Sequence, residues 1–186
     1  MSEGFKHLFI GYLFLLINIY IVVDIMPNFI GYILISSGIA KIAAEGKETM
    51  RAQLLAILLA VYSLPHFFLQ DQVRASYTWG EYYDLGYALL QVIQVYFLFV
   101  VIQSVFTSLA AVKLSKITNK IGIWYLSIHL LSLFTMTLII NTLGMLQVTF
   151  LFIMSALTLI INIVFIIYLR KMQKRTVKSI AIDNLV

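Results

Sequence analysis

"IGIWYLSIHLLSLFTMTLIINTLGMLQVTFLFIMSALTLIINIVFIIYL", from Ile121 to Leu169, contains no Asp, Glu, Lys or Arg. A helix needs roughly 20 apolar residues to cross the hydrocarbon core of a bilayer. The run is too long for one crossing and fits two joined by a short turn. The turn is placed at "NTLG", Asn141 to Gly144, because glycine commonly ends a helix in the left-handed conformation.

The rest of the chain has the same character. Of its 186 residues 62% are hydrophobic and only 11% charged, against about 25% charged in an average soluble domain. One core of this size cannot hide that excess, since a small domain leaves much of its surface exposed. Lipid must therefore be the solvent for much of the chain. Apolar runs give six spans, at about 6–24, 28–44, 52–70, 84–110, 121–141 and 146–169. The expected fold is an all-α integral membrane bundle of six transmembrane helices over residues 1–169, followed by a basic cytoplasmic tail over 170–186. The second span is short, and the fourth is long enough to tilt. Lys6 and His7 before the first apolar stretch resemble the start of a secretory signal. That stretch ends in "VDIMP" with no small-x-small cleavage site, so it reads as a retained span.

Direction follows from the basic residues of the short loops, which collect on the cytoplasmic side. With both termini cytoplasmic, all of the 13 lysines and arginines except Arg74 fall inside. Asp24, Asp71, Glu81 and Asp84 fall outside, with Tyr77, Trp79, Tyr82 and Tyr83 as an aromatic belt at the outer interface. Trp124 and Tyr125 are placed at the inner interface. The tail segment "RKMQKRTVK", Arg170 to Lys178, is a topology anchor and meets anionic lipid head groups, each basic residue adding about 1 kcal/mol.

The composition also excludes functions. The net charge of +5 is a topology signal and not the footprint of a solvated basic domain, so no nucleic-acid partner is expected. Without cysteine there are no disulfides, thiolate metal sites or cysteine nucleophiles. HExxH, GxSxG and the P-loop are missing. Ser63 and His66 lie three apart but lack a third catalytic member. Asp24, His66, Asp71, Glu81 and Asp84 come from separate segments and obey the charge asymmetry, so no metal or cofactor is expected.

Two spans open on the same word: "FIGY" at Phe9–Tyr12 and again at Phe29–Tyr32. Gly11 and Gly31 allow a neighbouring helix to approach closely, and Tyr12 and Tyr32 can set rings near a head-group boundary. "DLGY", Asp84–Tyr87, is a third echo at the start of span four. The echoes fit convergent packing, or a three-plus-three duplication giving two inverted three-helix halves, as in many transporters. Pro27 suits the first turn of the second helix. Asp24 beside it caps that helix, where the dipole favours a negative charge.

"DIMPNFIGYILI", Asp24 to Ile35, resembles a segment of small multi-pass membrane proteins of Gram-positive bacteria, a group to which no activity is assigned. The resemblance covers about a dozen residues and implies a bacterial plasma membrane protein that begins with a helical hairpin. It carries over no catalytic or binding residue.

Polar groups at membrane depth are costly and frequently functional. Asp84, Tyr87, Gln91 and Gln94 follow helical spacing on one face of span four. Tyr125, His129, Ser132 and Thr135 share a face of span five, and Ser155, Thr158 and Asn162 a face of span six. Pro65 kinks span three beside His66. These phases point to a polar interior opening outward, with Asp24, His66, Asp84, Tyr87, Gln91, Gln94 and His129 as the candidate cavity residues. Interhelical packing by the serines and threonines is the competing explanation. Three function classes follow, in order: an accessory or regulatory component acting on a membrane-protein partner, a small-solute or ion transporter, and an intramembrane enzyme. The absence of a soluble domain and of any catalytic signature sets that order.

Overall fold

The computed structural model describes residues 1–17, 27–43, 46–65, 77, 79–141 and 145–183. They form six helices: α1 (Ser2–Leu16), α2 (Asn28–Ile42), α3 (Lys47–Tyr62), α4 (Gly80–Ser108), α5 (Val112–Asn141) and α6 (Met145–Asp183). No strand occurs among the described residues.

Among the described residues three helices are long and apolar enough to cross a membrane, over Tyr82–Ser108, Val112–Leu138 and Thr149–Arg175. Each of these 27-residue stretches rises about 40 Å at 1.5 Å per residue. Six helices of that length are not found among the described residues. α1, α2 and α3 have 15, 15 and 16 residues, which rise only about 22–24 Å against a hydrocarbon core of about 30 Å.

The helices form a closed ring. Each packs on the next in sequence, and α6 returns to pack on α1. Neighbours run antiparallel. Gly4 faces Gly38 and Gly11 faces Gly31 across α1 and α2. Tyr62 and Arg51 of α3 meet Tyr83 and Phe97 of α4. Tyr12 and Phe9 of α1 meet Phe165 and Arg170 of α6. The beginning of α1 therefore lies beside the later turns of α6.

The repeated word is explained at the α1–α2 contact. A Cβ on Gly11 would stand 2.7 Å from the carbonyl oxygen of Gly31, and one on Gly31 would stand 2.9 Å from that of Gly11. The two glycines of the repeated word are thus each other's contact. Small residues at such a crossing let backbones approach and gain dispersion and Cα–H···O contacts. The third echo behaves differently, for Gly86 faces the Tyr62 hydroxyl and no glycine.

The ring is apolar on the outside. Phe152 is 77% exposed, and Leu54, Ile57, Val61, Ile123, Trp124, Phe134, Ile160 and Ile167 are exposed with it. Soluble monomers rarely carry apolar surface on this scale. Inside, Phe165 is fully buried and joins four helices through rings at 4.8 Å (Tyr12), 5.1 Å (Phe99) and 5.0 Å (Tyr125).

Several expected boundaries change. Of the segment 111–120, read as a loop, residues 112–120 belong to α5, and only Leu109–Ala111 separate α4 from α5. The stop is a Schellman motif. Ala110 N–H bonds Thr107 O at 3.0 Å, Ala111 N–H bonds Phe106 O at 2.9 Å, and Ala110 takes φ 52°. Alanine occupies the place where glycine is usual, so the sequence offers no stop signal. Left-handed backbone costs an L-residue about 1–2 kcal/mol, partly offset by glycine's extra unfolded entropy. Ala110→Gly is therefore expected to stabilise the protein by up to about 1 kcal/mol, read as a higher thermal midpoint in detergent.

The tail expected to start at residue 170 continues α6 without a break. Met172 is buried in the core, and the Arg170 guanidinium lies 5.6 Å from the Phe9 ring centroid. α3 ends at Tyr62, ahead of Pro65, so a helix end stands where a kink was expected. The Tyr83 hydroxyl donates to the Tyr62 carbonyl there, and the two rings stack at 4.6 Å.

Candidate functional site

Helical spacing on three helices aims polar side chains at one interior point. On α4 these are Gln91 and Gln94, on α5 His129 and Ser132, and on α6 Thr158 and Asn162. Together with Tyr12 of α1 and Tyr32 of α2 they line a cavity of about 290 Å³, floored by apolar residues that include Phe165. Among the described residues the wall contains no Asp, Glu, Lys or Arg.

Tyrosines hold the polar groups in place. The Tyr12 hydroxyl donates to Gln94 Oε1 at 2.9 Å, and Gln91 Nε2 donates to the Tyr32 hydroxyl at 2.6 Å. Both tyrosines of the repeated word therefore reach the glutamine stripe of α4. Their placement near head groups is corrected: Tyr12 is 6% and Tyr32 1% exposed. Adjacent helical residues point about 100° apart. Gly11 and Gly31 at the α1–α2 contact consequently turn the tyrosines that follow them into the ring. The Tyr125 hydroxyl donates to Asn162 Oδ1 at 2.6 Å, and the Tyr125 ring stacks on His129 at 4.3 Å. Tyr125 is thus a buried wall residue and not an interfacial anchor, whereas Trp124 is exposed.

Three buried polar atoms of the wall have no partner among the described residues: Gln94 Nε2, His129 Nε2 and Thr158 Oγ1. Each such group costs about 1–3 kcal/mol while it stays unmatched. Gln94 is only 1% exposed, so bulk solvent does not relieve the cost at its amide.

The other sequence candidates fall elsewhere. Tyr87 shares the α4 face but stands behind Tyr32, edge-on at 6.2 Å, and stacks on Tyr62 at 6.0 Å. Asp84, one turn further, is not part of the wall. Tyr32, Tyr87, Tyr62, Tyr83 and Trp79 form a continuous aromatic column between the cavity and the start of α4. Asp24 and His66 lie outside the described residues, as does the expected cap on α2. Ser155 is exposed, and Thr135 is buried but bonds the Leu131 carbonyl of its own helix at 2.8 Å. Ser63 likewise bonds the Ala60 carbonyl at 2.9 Å. No group of three or more His, Cys, Asp or Glu residues able to hold a metal occurs among the described residues.

Tyr12, Tyr32 and Phe165 were not recognised as site residues from sequence. A signal was present for the tyrosines, since each follows a helix-contact glycine by one position. Phe165 carried none, being one apolar residue among many on α6.

A second hollow of about 420 Å³ lies between α4 and α5. Phe99 covers Gly122 there, and Gln103, Ser104 and Asn119 contribute polar edges. The chain matches no protein-family model, no curated protein and no solved structure.

Proposed function

We propose that this is an integral protein of a bacterial plasma membrane, crossing six times with both termini cytoplasmic, and that its central cavity takes a small polar solute in the manner of a transporter. The observation that carries the reading is the convergence of Gln94 Nε2, His129 Nε2 and Thr158 Oγ1, all without partners, on one cavity. Static interhelical packing would use these groups up. Support for six crossings comes from the closed antiparallel ring, in which α1 to α3 are full members. The orientation rests on the basic residues: Lys6, Lys41, Lys47, Arg51, Lys113, Lys116 and Arg170 belong to helix ends that the antiparallel order puts together.

Flux through proteoliposomes tests the reading. Gln94→Leu is expected to lower uptake of the transported solute at least tenfold while the protein still accumulates and extracts as a folded particle. Wild-type protein that moves no small polar solute under any gradient would overturn it. The threading is tested separately. The chain has no cysteine, so single changes Ser2→Cys, Ser179→Cys and Tyr77→Cys report sidedness to an impermeant maleimide. Only Tyr77→Cys is expected to react in intact cells, and opposite results at Ser2 and Ser179 would refute six crossings.

A second reading, an accessory component seated on a transmembrane helix of a partner, is favoured by the α4–α5 hollow with its glycine floor and polar edges. A homogeneous particle containing this chain alone after mild extraction would count against it.

A further inference from the structure

Hydrogen-bond bookkeeping in the cavity narrows the solute. Each amide offers an oxygen with two acceptor lone pairs and a nitrogen with two N–H donors. The Gln94 oxygen accepts from the Tyr12 hydroxyl, and the Asn162 oxygen accepts from the Tyr125 hydroxyl. Gln94 Nε2 has no partner among the described residues, so its NH₂ group is what this amide has left to offer. Thr158 and Ser132 add hydroxyls, which serve either way, and His129 adds an open Nε2. Gln91 gives an N–H to the Tyr32 hydroxyl. The partnerless amide donor of the wall is thus Gln94 Nε2.

Its described lining residues also include no Asp, Glu, Lys or Arg. A bare ion entering it would lose hydration and find no counter-charge among them. Hard cations need several oxygen ligands, and two of the three amide oxygens already accept from tyrosine hydroxyls. The volume of about 290 Å³ equals on the order of ten waters at about 30 Å³ each, near the lower bound for small-molecule pockets.

Resting on the cavity as a solute site, we propose that its ligand is a small neutral compound presenting a carbonyl-type oxygen to Gln94 Nε2 and the Thr158 hydroxyl, as a primary amide does. Inorganic cations and carboxylates are discriminated against. Tyr12 sets this polarity: by donating to the Gln94 oxygen it fixes the amide and leaves Nε2 as the partnerless end.

Acetamide and acetate form a nearly isosteric pair differing in charge, and methylammonium supplies a cation of similar size. Each is titrated at constant ionic strength into the full chain in nanodiscs, with the thermal midpoint as readout. Acetamide is expected to raise the midpoint in a saturable way, with acetate and methylammonium at least tenfold weaker. Thr158→Val, which keeps the shape and removes one partnerless hydroxyl, is expected to weaken acetamide about tenfold while its own unliganded midpoint is unchanged or higher. Gln94→Leu provides a second, independent wall change. If acetate or methylammonium binds as well as acetamide and responds to these variants, the assignment of a neutral solute falls while the solute site stands. If no probe shows binding that the two variants alter, both fall.

Discussion

Gly11→Leu is expected to abolish accumulation of folded protein. The first atom of any side chain at Gly11 meets the Gly31 carbonyl oxygen at 2.7 Å and Ile35 Cγ1 at 2.8 Å. The oxygen belongs to a helix backbone and cannot swing aside, so α1 and α2 must separate. Extra methylenes in a packed core typically cost about 1–3 kcal/mol. Here the cost is higher, because helices in lipid have no hydrophobic force between them and associate through close contact itself. Separation also withdraws Tyr12 from Gln94 and Tyr32 from Gln91, so the cavity wall is lost with the hairpin. Gly11→Ala isolates the clash. In an open helix it gains up to about 1 kcal/mol of propensity; at this contact it is expected to lower the thermal midpoint. Gly46→Ala is the control for the clash, since a Cβ there meets only Thr49 Oγ1 at 3.9 Å; as the N-cap of α3 it is expected to lose about 1 kcal/mol at most, from the poorer cap alone. An unaltered midpoint in Gly11→Ala would disprove the tight contact.

The same hairpin shows how far the sequence could be read. Composition made the solvent legible, because apolar runs of this length have few soluble uses, and helical phase placed Gln91 and Gln94 on one face before any coordinates. The glycines were legible as contact points, but their partners were not. That Gly11 meets Gly31, and not some third helix, depends on crossing geometry that one sequence does not encode. The tyrosines were misread for a related reason. A tyrosine near the start of an apolar run satisfies the interfacial rule as well as it satisfies burial with a hydrogen-bond partner. Only the location of Gln91 and Gln94 across the ring separates the two. Helix ends misled where chemistry was unusual: alanine in the left-handed position at residue 110 gives no stop, and a basic segment after Leu169 reads as tail although Met172 still packs. The lengths of α1 to α3 mark the opposite limit: apolar composition suggested spans over 6–24, 28–44 and 52–70, and the described helices there have 15, 15 and 16 residues.

Phe165→Ala is expected to destabilise the protein by about 3 kcal/mol, the low end of the range for burying and then deleting an aromatic ring. In water that range contains a transfer term and a cavity term. In lipid the transfer term shrinks, because the unfolded alternative is also apolar; the lost contacts and the void remain. Phe165 is fully buried and contacts rings of α1, α4 and α5 while standing on α6. No other single side chain described here ties as many helices. The residue also floors the cavity, so the new void opens into the existing one instead of closing as a separate hole. Loss of stability and gain of volume then come from the same change. A thermal midpoint measured with and without benzene separates them: an apolar guest filling the vacated ring position is expected to restore part of the midpoint in Phe165→Ala and to leave wild type unmoved. The polar wall survives the change, since the Tyr12–Gln94 and Tyr125–Asn162 bonds do not involve Phe165. Solute selection is accordingly expected to shift toward larger neutral compounds without admitting ions. A variant as stable as wild type, or one that gains ion binding, would show that packing around Phe165 and the charge selectivity of the wall are not arranged in this way.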